Sequence, residues 1–188
     1  MQDAFRYEAY VIASADGMIA DASGHMPDAL INRADQRLFT EALDRAAVLV
    51  HGRHSREGDG NSKQRRRVIV TSRTATIAPD PDAPHGVLWN PLGAPFATAC
   101  AALGVDGGMA AILGGPQVYA LFLTLGYTAF HLSRIASVTV PGGLPVFGRG
   151  GPPVEQGLAG AGLTPEPPRW LDQRAGVSVT TWRREGAA

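Results

Sequence analysis

Three groups of residues have the types and spacing to do chemistry. The first is Gly114-Gly115, followed by Pro116. Two residues without Cβ atoms let a ligand lie against bare backbone. Pro is favoured at the first position of a helix, where its missing N–H would have no partner anyway. A helix start presents unpaired N–H groups and a partial positive charge, which suits a pyrophosphate. A plain tight turn is the alternative, and both readings stand on this stretch alone. The second group is Ser14-Ala15-Asp16-Gly17, where Asp16 is either an acid at a ligand edge or one half of a turn dipeptide. The third is a pair of arginines. Arg53, beside His54, and Arg73, after Ser72, each follow a short apolar run. Two guanidinium groups at one sheet edge can fork around a phosphate, or be ordinary surface charge.

Those residues need elements to position them. Residues 5–13 read as a first strand whose apolar end, 10–13, has no polar face and suits a central position covered on both sides. The loop carrying Asp16 then leaves the sheet at a strand's C-terminal end, where open α/β sheets bind ligands. Residues 21–31 read as loop. Asn32 is placed to cap a helix with Asp35 in its first turn and a stripe of Leu38, Ala42, Leu43 and Ala46. Residues 47–50 make a second buried strand, and strand–helix–strand order favours a right-handed crossover and a parallel sheet. The run Arg65-Arg66-Arg67 reads as a solvated loop before a third strand at 68–71. A short strand is expected at 87–89 and a helix at 96–103 with Cys100 in the core. Residues 110–113 form a buried strand before Gly114. Val118, Leu121, Phe122 and Leu125 recur at helical spacing after it. Residues 128–135 alternate as a strand, with His131 on the face of Ala129 and Ser133. Residues 177–182 alternate strictly, as a terminal antiparallel strand does.

Composition narrows the function. The 188 residues suffice for one domain with a real core. The formal net charge of zero gives no basic surplus for nucleic acid. A single cysteine, Cys100, excludes an intrachain disulfide and a cysteine-rich metal site. The first ten residues lack a signal-peptide layout, and no apolar run approaches the roughly 20 residues of a membrane span. A soluble, cytoplasmic protein is therefore expected. No G-x-G-x-x-G follows the first strand. The phosphate-loop G-x-x-x-x-G-K-[ST], H-E-x-x-H and G-x-S-x-G are also missing, so metal, ATP and serine-hydrolase chemistry have no motif. The glycines and prolines gather chiefly at 78–95 and 141–168, which read as loops.

Taken in order, SADGMIA, ADQRLF, VLVHGRHS, VIVTSR, ILGGPQVY and PGGLPVF resemble the dihydrofolate reductase-like superfamily. The chain looks most like the reductase domain of the riboflavin-pathway bifunctional deaminase-reductase and its stand-alone relatives, over about residues 10–147. Nothing matches the zinc deaminase half. The resemblance implies an α/β fold, a mixed and mostly parallel sheet flanked by helices with an antiparallel C-terminal strand, as one domain over 1–188. It implies NADPH held across the C-terminal edge. The loop matching Gly52-Arg53-His54-Ser55 and the end matching Ser72-Arg73 would hold the adenosine phosphates. Gly114-Gly115 would cradle the pyrophosphate, with Gln117, Val118 and Tyr119 close by. Ala13, Ser14, Asp16 and Ile19 would lie near the nicotinamide and substrate. The implied reaction is hydride transfer to a C=N bond, in a 5-amino-6-(5-phosphoribosylamino)uracil-like compound. Asp16 is the first candidate for substrate orientation or proton delivery. Asp35 is the second, because it matches the carboxylate with which dihydrofolate reductases grip the pterin; it is equally readable as a helix-start residue. The departures are a missing lysine on the first strand and a segment at 56–64 unlike the usual N-D-x-P-x-L. In addition, Leu113 stands in place of an acid, and Ala129-Phe130 in place of Asp-Glu. They keep two alternatives open: a pterin reductase, and a nucleotide-binding module without turnover. Relatives of this kind are commonly homodimers.

Overall fold

A computed structural model describes residues 4–55 and 61–186. The chain runs β1 (Phe5–Ser14), β2 (Met18–Ala20), α1 (Arg33–Arg45), β3 (Val48–Gly52), β4 (Arg67–Val70), β5 (Ile77–Pro79), β6 (Gly86–Trp89), α2 (Phe96–Ala101) and β7 (Gly108–Gly114). It continues α3 (Pro116–Leu125), β8 (Ala129–Ile135), β9 (Leu144–Pro145), α4 (Val154–Gly160), β10 (Leu163–Pro165), β11 (Arg169–Asp172) and β12 (Val177–Arg184). The main sheet has the order β10-β12-β8-β1-β7-β3-β4-β6-β5, with β11 also paired to β12, and β2 and β9 form a separate two-stranded piece. The six inner strands, β8 through β6, are mutually parallel. The flanks β5 and β12 run antiparallel, as the alternation of residues 177–182 anticipated.

Local chemistry explains the central elements. Ala9, Val11 and Ala13 on one face of β1 and Ile12 on the other are all buried, so the strand has no solvent side. Asn32 caps α1 through its side-chain oxygen, which accepts from the N–H groups of Ala34 (2.9 Å) and Asp35 (3.2 Å). Phe96, at the start of α2, packs edge-on against Phe5, Tyr7, Trp89 and Phe122, which ties α2 and α3 to the same face of the sheet. Cys100 lies in that core, fully buried.

Several expectations give way to tertiary context. The triple-arginine run is not a solvated loop throughout. Arg67 opens β4 and is 4% exposed, while the Arg65 guanidinium pairs with Asp44 at 2.6 Å. Leu125, placed on the buried face of α3, is exposed, and Tyr119 takes that role. The loop at 21–31 contains a single 3-10 turn, Asp28–Leu30, which buries Leu30 completely beside Ile12. The glycine- and proline-rich stretch at 141–168 holds β9, α4 and β10, and Val154 and Leu158 of α4 join the main core.

Candidate active site

Because β1, β7, β3 and β4 are neighbours and parallel, their C-terminal ends share one edge of the sheet. Ser14, Gly114, Gly52 and Val70 close the four strands, so three of the sequence groups emerge side by side there.

Gly114 has φ +93°, and a Cβ there would lie 2.5 Å from Tyr119 Cε2. Its peptide bond to Gly115 is cis. Gly115 has an ordinary φ of −65° and begins α3 without offering a side chain as cap. Among the described residues, one atom lies within 4 Å of the position a Gly115 Cβ would take, Ser55 Oγ at 3.5 Å. Gly52 abuts the same turn, its own Cβ position lying 3.8 Å from Gly115 N. So the end of β3 and the start of α3 form one glycine-floored hollow. Gln117 is exposed above it. Val118 and Tyr119 are buried, and Val118 packs toward Gly52.

Arg53 and His54 occupy the turn after β3 that Ser55 N closes onto Gly52 O at 3.2 Å; both are exposed. Ser72 and Arg73 sit in the turn after β4, exposed too, with Arg73 N donating to Thr71 Oγ1 at 3.1 Å. The register Gly52↔Val70 sets the two turns side by side. The hollow, the start of α3 and the two arginines fit a dinucleotide laid across the edge, with its pyrophosphate on the glycines and a further phosphate at the guanidinium groups. Of the altered segment at 56–64, residues 56–60 lie outside the described residues.

On the other side of β7 the two aspartates differ in kind. Asp16 is exposed, yet both its oxygens are engaged. Oδ1 accepts from the Ser14 hydroxyl (2.5 Å), and Oδ1 and Oδ2 accept from Val140 N (3.0 and 3.2 Å). The Ser14 hydroxyl, then the Val140 N–H, hold its carboxyl below the usual range. Ala15 N donates to Val138 O at 2.7 Å, and Arg134 Nη1 donates to Ser14 O at 2.9 Å while its other amino group pairs with Glu155. Asp16 is thus a clasp that joins its loop to residues 138–140, and it carries no proton at neutral pH. Ala13 is wholly buried beneath this loop, and Ile19 in β2 packs against the main core.

Asp35 is half-buried in the first turn of α1. Burial pushes its carboxyl above the ordinary value, and the nearby Ser133 hydroxyl, itself 1% exposed on β8, partly offsets that. The Tyr119 phenol is raised by burial and further by the Asp35 charge, so the acid and the ring over the Gly-Gly turn feel one another. Ser133 and Arg134 had no motif to mark them. The strand alternation placed Ser133 on the face of His131, and only the fold brings α1 over it. His131 itself stacks on Tyr10 at 4.4 Å and approaches Glu8 and Thr181, away from the edge. No cluster of three metal-ligating side chains occurs among the described residues.

The architecture is the dihydrofolate reductase-like fold, as the order of motifs implied. No family model matches the chain, and no curated protein matches it by sequence. Solved structures do. A pyrimidine reductase-like protein from Corynebacterium diphtheriae aligns with TM-score 0.63 and 15% identity over 95% of this chain and 91% of its own. A diaminohydroxyphosphoribosylaminopyrimidine deaminase/5-amino-6-(5-phosphoribosylamino)uracil reductase from Thermotoga maritima gives TM-score 0.61 and 14% identity, over 95% of this chain and 56% of its own. Dihydrofolate reductase from Enterococcus faecalis, complexed with NADP(H), gives TM-score 0.63 and 17% identity over 96% of each chain. Among the described residues no helix is long and apolar enough to cross a membrane.

Proposed function

We propose that the chain is an NADPH-dependent reductase that adds hydride to a C=N bond of a 5-amino-6-(5-phosphoribosylamino)uracil-like compound. The observation that carries this is the shared edge: a glycine-floored hollow with two free arginine turns on one side of β7, and the half-buried acid Asp35 on the other. Bound nicotinamide supplies the hydride. Gly52, Gly114, Gly115 and the start of α3 would hold the pyrophosphate, and Arg53 and Arg73 the 2′-phosphate. Asp35, whose burial raises its affinity for a proton, is the group placed to pass one to the C=N nitrogen as its carbon receives hydride. Ser133 orients that carboxyl. Asp16 keeps the floor of the site in place. Assembly as a homodimer belongs to the same proposal.

Asp35 also supports a second reading, reduction of a dihydropterin, since a carboxyl on the first helix can pair with ring N–H groups. The test is NADPH oxidation, followed by absorbance, with the phosphoribosylaminouracil compound and dihydrofolate offered in parallel. Turnover of the first supports the main reading, and turnover of dihydrofolate alone supports the second. NADPH binding with neither turned over leaves a nucleotide-binding module, and no binding of NADPH ends the reading.

A further inference from the structure

His51 was passed over in the sequence as part of a strand end, yet it is the one imidazole among the described residues with no exposure at all. It stands between two elements of the candidate site. In the sheet it is level with Ile69 on β4 and with Gly114 on β7, where a register shift after Val50 lets β7 skip a residue and brings Gly114 alongside. Its Nδ1 lies 2.7 Å from the carbonyl oxygen of Gly52, and its Nε2 lies 3.5 Å from Arg67 Nη1. A carbonyl only accepts and a guanidinium only donates. A proton on Nδ1 therefore points at the Gly52 carbonyl, while Nε2 faces the Arg67 side. Arg67 is held in turn by Ser62, donating to its hydroxyl at 2.9 Å and to its carbonyl.

The Gly52 carbonyl thus receives two donors, the His51 Nδ1–H and the Ser55 N–H at 3.2 Å that closes the turn. This turn carries Arg53 and sets Ser55 Oγ against Gly115. We propose that His51 is a positioning residue for dinucleotide binding. By fixing the Gly52 carbonyl it orients the Gly52–Ser55 turn, and so aims Arg53 at the 2′-phosphate while keeping Ser55 beside the pyrophosphate hollow. His51 does not touch the ligand. The inference rests on the cofactor reading above.

Two substitutions separate the two ring nitrogens. His51→Asn keeps a donor near the place of Nδ1, whereas His51→Gln reaches toward Arg67 and leaves the Gly52 carbonyl with one donor fewer. NADPH and NADH are titrated into each protein and thermal midpoints are recorded. The expectation is that Gln lowers the NADPH-over-NADH preference about fivefold to tenfold, and that Asn restores most of it. Equal preference in wild type and the Gln variant overturns the proposal, as does an equal fall in both variants. A role in folding alone would move the midpoints without moving the preference. Nitrogen NMR of the wild-type imidazole gives a test that needs no variant: a proton on Nδ1 is expected, and a ring protonated on Nε2 alone overturns the proposal. Wild type that binds neither cofactor would fail the cofactor reading itself, an outcome distinct from binding that is indifferent to His51.

Discussion

Adjacent glycines at the turn make opposite predictions. A methyl group at Gly114 would meet the Tyr119 ring at 2.5, 2.7 and 2.9 Å, and the residue sits at φ +93°. Backbone held in such a region costs about 1–3 kcal/mol for an L residue. Forcing a buried ring aside costs about another 1–3 kcal/mol. The ring cannot step away freely, because Tyr119 is buried against Phe130 and its backbone carbonyl accepts the Tyr127 hydroxyl at 3.0 Å. Gly114→Ala is therefore expected to lose about 2–6 kcal/mol. In a domain of this size that lowers the melting midpoint by at least about 4 °C. Gly115 has φ −65° and its nearest neighbour, Ser55 Oγ, stands at ordinary contact distance. Gly115→Ala should change stability by less than about 1 kcal/mol, yet the methyl group enters the hollow and should weaken NADPH and NADH alike, on the order of tenfold. Urea unfolding of the three proteins, together with calorimetric titration of both cofactors, checks this. A Gly114→Ala protein that melts with the wild type refutes the steric argument. A Gly115→Ala protein that binds with wild-type affinity refutes the placement of the pyrophosphate.

The two aspartates should carry opposite pH signatures. Asp35 has a raised folded-state pKa, so its contribution to stability is fully present below the unfolded value of about 4 and is lost as pH rises through the folded value. Asp35→Asn should be more stable than wild type at neutral pH, with the gain vanishing on acidification, and should lose turnover while still binding NADPH; urea midpoints at several pH values decide it. Asp16 has a lowered one, so its contribution is present above about pH 4 and lost as pH falls through the folded value. Asp16→Asn should be less stable than wild type at neutral pH and equal to it in strong acid, and the same series would expose a wrong sign. Arg73→Ala should weaken NADPH on the order of tenfold and hardly change NADH; an equal effect on both would remove the 2′-phosphate from that turn.

The inner sheet was legible because its strands are short, almost uninterrupted apolar runs bounded by turn residues, as at 47–50, 68–71 and 110–113. The edge strands β5, β9, β10 and β11 were not. Each is two to four residues long, and two of them run straight into proline-rich chain, so neither period nor composition marks them. The candidate edge was legible as a set of strand ends, since every residue singled out there follows an apolar run. The ranking of Asp16 above Asp35 was not a matter that sequence can decide. Local signals give each residue an ordinary alternative, a turn for Asp16 and a helix start for Asp35. What separates them is burial against Ser133 and capture by Val140, both contacts from distant parts of the chain. Arg67 escaped for the same reason: a third consecutive arginine reads as solvated until Ser62 and His51 close over it.

Strand β7 divides the edge into two territories. From β8, which carries Ser133, to β4, which leads to Arg73, is four strand spacings, or about 19 Å. At that separation energetic effects add with little coupling. Asp35→Asn and Arg73→Ala should therefore combine as the sum of their separate effects on cofactor affinity. On the proposed function, cofactor choice and substrate choice would then sit on separate dials, so that a lineage, or an engineer, could exchange the ring to be reduced without retuning the nucleotide.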